Sequence, residues 1–165
     1  MDLRGGSTAS AIRRFLVKKR MDNFYIFLSS SDSKQINSTN KPHDFTVVLP
    51  QSISFNREEG TEWTVALADI AITNQGDLTK TILVFCDIVS PSLIRGSYNP
   101  VLRSFPSQTL KSTSLFLPYY LPVNSSLIER IRIYLVDDKL KPITFDESKG
   151  DIELTCSLHF QMYRH

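Results

Sequence analysis

The chain has 165 residues, 41% of them hydrophobic and 22% charged, with a formal net charge of +2 and two cysteines. That length predicts one domain that buries a core without disulfide staples. No apolar run approaches the roughly 20 residues of a membrane-spanning helix. The arginine-studded N-terminus lacks the apolar segment of a secretory signal, so the sequence predicts a soluble protein made in a reducing compartment.

Charge is unevenly distributed. Arg4, Arg13, Arg14, Lys18, Lys19 and Arg20 stand against Asp2 alone at the N-terminus, while the rest of the chain is mildly acidic. The expected organisation is a basic arm over residues 1–21 and a folded domain over residues 22–165. Such an arm points to an anionic partner, whether nucleic acid, a membrane surface or an acidic protein groove. Beyond the Gly5-Gly6 pair, Ser7 or Thr8 fits a helix N-cap, and Ile12, Phe15 and Leu16 form an apolar stripe at helical spacing. A helix this short is marginal alone in water. The stripe is therefore read as an anchor on a neighbouring subunit or other partner, with docking on its own domain as the plainer alternative.

A series of strands follows. Phe24, Ile26 and Leu28 alternate with Tyr25 and Phe27, the period of a half-buried strand. A polar loop is expected from Ser29 to His43, then a strand through Phe45, Val47 and Leu49 that Pro50 stops. After a charged connection from Ser52 to Gly60, a long strand runs from Trp63 to Ile72, and Asn74-Gln75-Gly76-Asp77 signals a turn. Thr79 to Val89 is apolar on both faces, with Ile82, Val84, Cys86 and Ile88 on one and Leu83, Phe85 and Val89 on the other. Such a strand belongs in the middle of a sandwich or at a subunit contact.

Five of the eight prolines lie between Ser90 and Pro122 and limit this region to short pieces, expected at Val101–Phe105 and Ser114–Tyr120. Leu115, Phe116, Tyr119 and Tyr120 make a dense apolar cluster there, read equally as core or as contact with another chain; they are the candidate interface residues. The last third has the cleanest pattern. Ile131, Ile133 and Leu135 alternate with Arg130, Arg132 and Tyr134, and Ile152, Leu154, Cys156, Leu158, Phe160 and Met162 alternate with polar residues. One buried and one wet face per strand argues for antiparallel sheets. About eight strands at these intervals make an all-β fold, most economically two four-stranded sheets face to face, with an eight-stranded jelly roll as the commonest form.

Chemistry-bearing constellations are sparse. His43, His159 and His165 have no metal-ligand spacing, and Cys86 and Cys156 read as small buried hydrophobes. The carboxylate clusters at Glu58-Glu59-Glu62, Asp137-Asp138 and Asp146-Glu147 read as solvated turns. No catalytic residue, metal or cofactor is expected. Binding of bases by the body is disfavoured because Phe24, Phe45, Trp63 and Phe160 hold core parity.

Two segments carry a resemblance. The first runs from Asn23 to Ile72 with the cadence aromatic-aliphatic strand, Ser/Asn-rich loop, Phe-Thr-x-x-Leu-Pro, then Trp-x-Val-Ala-Leu; the second runs from Arg130 to Met162 and ends on a strand with Leu-His-Phe. Together they resemble the opening and closing patterns of the penton-type minor capsid proteins of Polinton (Maverick) elements and related viruses. The resemblance implies a single jelly roll that assembles as a homopentamer at the vertex of an icosahedral virion. Larger double-jelly-roll major capsid proteins would surround it, after synthesis in the host cytoplasm or nucleus. It also implies that the basic arm meets the shell interior or genomic DNA. Leu3-Arg4-Gly5-Gly6-Ser7 resembles the Leu-x-Gly-Gly-x site of adenovirus-type maturation proteases, which implies cleavage between Gly6 and Ser7. Two alternatives stay open: a trimeric jelly-roll module that binds a ligand or carbohydrate, and an accessory nucleic-acid-binding protein acting through its arm.

Overall fold

The computed structural model describes residues 22–55, 58–73, 81–107, 117–146, 148 and 150–165. The elements in chain order are β1 (Asn23–Ser29), α1 (Ser30–Ile36), β2 (Asp44–Ser54), β3 (Thr61–Ile72), β4 (Thr81–Cys86), β5 (Ser92–Ile94), β6 (Ser97–Asn99), β7 (Val101–Pro106), β8 (Leu121–Pro122), β9 (Leu127–Asp137) and β10 (Leu154–Arg164). All pairings between them are antiparallel. The all-β expectation holds, with strands in two four-stranded sheets and one two-stranded sheet among the described residues.

The first sheet has the order β1-β10-β3-β8 and the second β2-β9-β4-β7. Within that order lies a nested series: β1 pairs with β10, β2 with β9, β3 with β8, and β4 with β7. These are the pairs of one long antiparallel ribbon folded at its middle. Two more pairings, β10 with β3 and β9 with β4, join neighbouring ribbon segments laterally into sheets.

Inward side chains of both sheets meet in one apolar core. Phe160, Leu158 and Leu154 of β10, Leu67 and Ile70 of β3, Ile131 and Ile133 of β9, and Ile82 and Val84 of β4 are fully enclosed. Each such side chain contributes about 1.5–3 kcal/mol through removal of apolar surface from water. Phe24 stacks on Phe160 with centroids 4.8 Å apart, and Phe55 and Trp63 close the same end.

Four local readings are corrected. The stretch expected as a polar loop contains α1. Ser29 caps it by accepting from the Asp32 N–H, the Ser30 hydroxyl accepts the Leu154 N–H, and Asn40 bridges Ser33 to Thr46. Hydrogen bonding holds this turn in place, so apolar periodicity could not reveal it. Pro50 does not end β2, which continues to Ser54; β2 is an edge strand, where a missing N–H is tolerated, and its register with β9 breaks between Val48 and Ile53. β4 stops at Cys86 rather than Val89, because Asp87 turns the chain and its carboxylate accepts the Arg132 N–H. Leu117–Tyr120 is not strand, whereas Ser92–Asn99 forms an unforeseen hairpin.

Along β3 the enclosed residues change from odd positions, Val65 and Leu67, to even ones, Ile70 and Ile72. Leu67 faces Leu158 and Asp69 faces Ser157, so Ala68 is an extra residue, a bulge. It returns Ile70 and Ile72 to the side occupied by Val65 and Leu67.

Candidate functional site

The outward side of the first sheet carries an aromatic array. On β1, Tyr25 and Phe27 alternate with core-facing Phe24, Ile26 and Leu28, and they are 53% and 79% exposed. Tyr25 lies directly across from His159 of β10, their rings stacked with centroids 4.3 Å apart and planes 13° from parallel. Phe27 extends the stack from Tyr25 at 6.4 Å. From the segment before β8, Tyr120 reaches over the sheet and meets His159 through its hydroxyl, 2.6 Å from Nδ1, and Tyr163 edge-on. Tyr119 and Leu117 flank it, both strongly exposed.

Burial pushes the Tyr120 phenol above its ordinary range, so it keeps its hydrogen. Burial lowers the His159 pKa, which favours the neutral ring near pH 7. Beside it, the Ser157 hydroxyl donates to the Asp69 carboxylate. Serine, histidine and aspartate thus share one face without forming a relay, because Ser157 is committed to Asp69 and His159 Nδ1 to Tyr120. Tyr25 lies close to parallel with both Phe27 and His159, whereas Tyr120 stands edge-on to His159 and Tyr163.

The outward side of the second sheet differs. Leu83 and Phe85 of β4, Val136 of β9 and Val101 of β7 form a second apolar cluster, closed by Ile94 of β5, Leu140 and Tyr134. Arg132 lies over the Tyr134 ring at 4.9 Å and grips Asp44 with two hydrogen bonds of 2.8 Å. That carboxylate raises the guanidinium pKa further. A cleft of about 490 Å³ opens beside this pair, between His43, Asn99 and Leu140. The second apolar face of β4 is therefore accounted for in the middle of a sheet under its own chain.

Cys86 and Cys156 are both buried and free; burial raises both thiols, Cys156 to about 12. Among the described residues no three His, Cys, Asp or Glu side chains are grouped to hold a metal ion, and no helix is long and apolar enough to cross a membrane.

Of the residues singled out from the sequence, Tyr120 falls within the aromatic array and Tyr119 beside it. Leu115 and Phe116 lie outside the described residues, as do arm residues Arg4, Ile12, Arg13, Arg14, Phe15, Leu16, Lys18, Lys19 and Arg20, and Gly5, Gly6 and Ser7 of the cleavage pattern. Sequence reasoning did not single out Tyr25, Phe27 and His159 as a surface. The signal was present: two aromatic residues sit on the wet parity of β1, opposite a strand whose wet parity includes a histidine. No family model and no curated protein matches the chain.

Proposed function

We propose that the chain is a non-enzymatic capsid protein of a virus or virus-like mobile element, a single jelly roll that assembles as a homopentamer at the vertices of an icosahedral shell. The observation that carries this reading is the nested pairing of β1 with β10, β2 with β9, β3 with β8 and β4 with β7. A double-Greek-key jelly roll is such a ribbon rolled into two sheets, and eight strands here occupy the two four-stranded sheets. The resemblance of the first and last strands to penton-type proteins adds the assembly context. The exposed aromatic face supplies apolar area that a subunit contact would bury. In this reading a larger major capsid protein surrounds the vertex, and the basic arm meets genomic DNA.

Light scattering on the purified full chain tests the assembly directly. The expected particle has five times the 18.8 kDa chain mass. A three-fold mass would favour the trimeric recognition module instead, and a monomer at high concentration would refute both. Removal of residues 1–20 is expected to abolish salt-sensitive retention of DNA; retention that survives both the deletion and high salt would refute the role of the arm.

A further inference from the structure

We propose that the aromatic face of the first sheet receives the β5–β6 hairpin of a second copy of this chain, so that subunits join head to tail. The inference rests on the ring-forming reading above and names the two surfaces that make the joint.

The hairpin is built as a projection. Arg95 and Gly96 have φ of 50° and 80°, two consecutive positive values that make the tight primed turn matched to strand twist. One side is anchored, because Ile94 packs on the cluster of Leu83, Phe85, Val101 and Val136. On the other side Leu93 and Tyr98 are direct cross-strand partners, 63% and 75% exposed. Among the described residues most of each side chain is left open, while a tight turn and an anchored underside hold them in place.

Closed rings need a heterologous joint, in which one surface fits a different surface of the next subunit. The aromatic face and the hairpin lie on opposite sides of the sandwich, which suits such a joint. Their charges also match. The outward positions of the first sheet and its approach carry Glu62, Asp69 and Glu153, with no lysine or arginine at the outward positions of β1, β3 and β10. On the hairpin side, exposed Arg95, Arg130 and Arg132 stand against Asp44 and Asp87. An arginine at the turn tip meets carboxylates and ring faces together, the same contact Arg132 makes on Tyr134 within the chain.

The test uses full-length chains carrying Phe27→Cys or Leu93→Cys and a short flexible bismaleimide linker. The native thiols, both buried, do not compete in the folded protein. Co-expressed single variants are expected to cross-link to each other, neither should cross-link to itself, and the double variant should give a covalent ladder. Leu93→Asp combined with Tyr98→Asp is expected to weaken association by at least about tenfold. Self-linking of Phe27→Cys chains would mean a two-fold contact and overturn the proposal. A five-fold mass with no mixed cross-link, or one unmoved by the aspartate pair, would overturn the hairpin joint while leaving the ring standing. A monomer would overturn both.

Discussion

Phe85 and Phe27 both point away from the core, yet Phe85 is 3% exposed and Phe27 79%. Phe85 lies on β4 in the interior of the second sheet, flanked by β7 and β9 and closed over by Ile94 and Leu140. Phe27 lies on β1, at the edge of the first sheet, and its ring continues a stack with Tyr25 and His159. The two faces are similar in apolar content and opposite in fate. An outward aromatic residue stabilises the fold where its own chain covers it, and stays open to solvent where it does not.

Substitution can break or sharpen that contrast. The largest effect is expected from Phe85→Ala, which should cost about 3–5 kcal/mol in urea unfolding; a loss under about 1 kcal/mol would mean that Ile94 and Leu140 do not seal the second sheet. Arg132→Met, which breaks the grip on Asp44, should cost about 0.2–1 kcal/mol, since both side chains are substantially exposed. A double-mutant cycle with Asp44→Asn isolates that coupling. Phe27→Ala should leave unfolding within about 0.5 kcal/mol of the parent while lowering the assembled mass. A stability loss as large as that of Phe85→Ala would erase the distinction between the faces.

The smallest effect is expected from His159. Burial places its folded pKa below the ordinary histidine value of 6.5, so the unfolded chain binds the proton more readily. The stabilising contribution is complete above pH 6.5 and declines as pH falls through the lowered folded value. A series of urea midpoints from pH 7.5 to pH 5 should show that decline, and His159→Gln should flatten it. A midpoint that rises on acidification would contradict the burial assigned to the ring.

Much of the sandwich was legible because alternation survives wherever a strand has one wet face. β9 and β10 follow it closely, whereas the bulge at Ala68 moves the inward residues of β3 from odd to even positions and makes both of its faces look apolar in sequence. Legibility failed where hydrogen bonds or turns replaced apolar periodicity. The helix α1 is held by Ser29, Ser30 and Asn40, and the β5–β6 hairpin has strands too short for any period to register. The aromatic face was half legible. Tyr25 and Phe27 stood on the wet parity, but their union with His159 and Tyr120 depends on a pairing between opposite ends of the chain and a reach of 39 residues.

That pairing of ends also governs when the molecule can form. β10 fills the slot between β1 and β3, so both remain without a shared neighbour until Leu154–Arg164 has left the ribosome. The first sheet therefore cannot close before that strand is available, and it forms at the slow rates of folds rich in distant contacts. In the interval two apolar strands have unsatisfied edges, when chaperones or fellow nascent chains would find them.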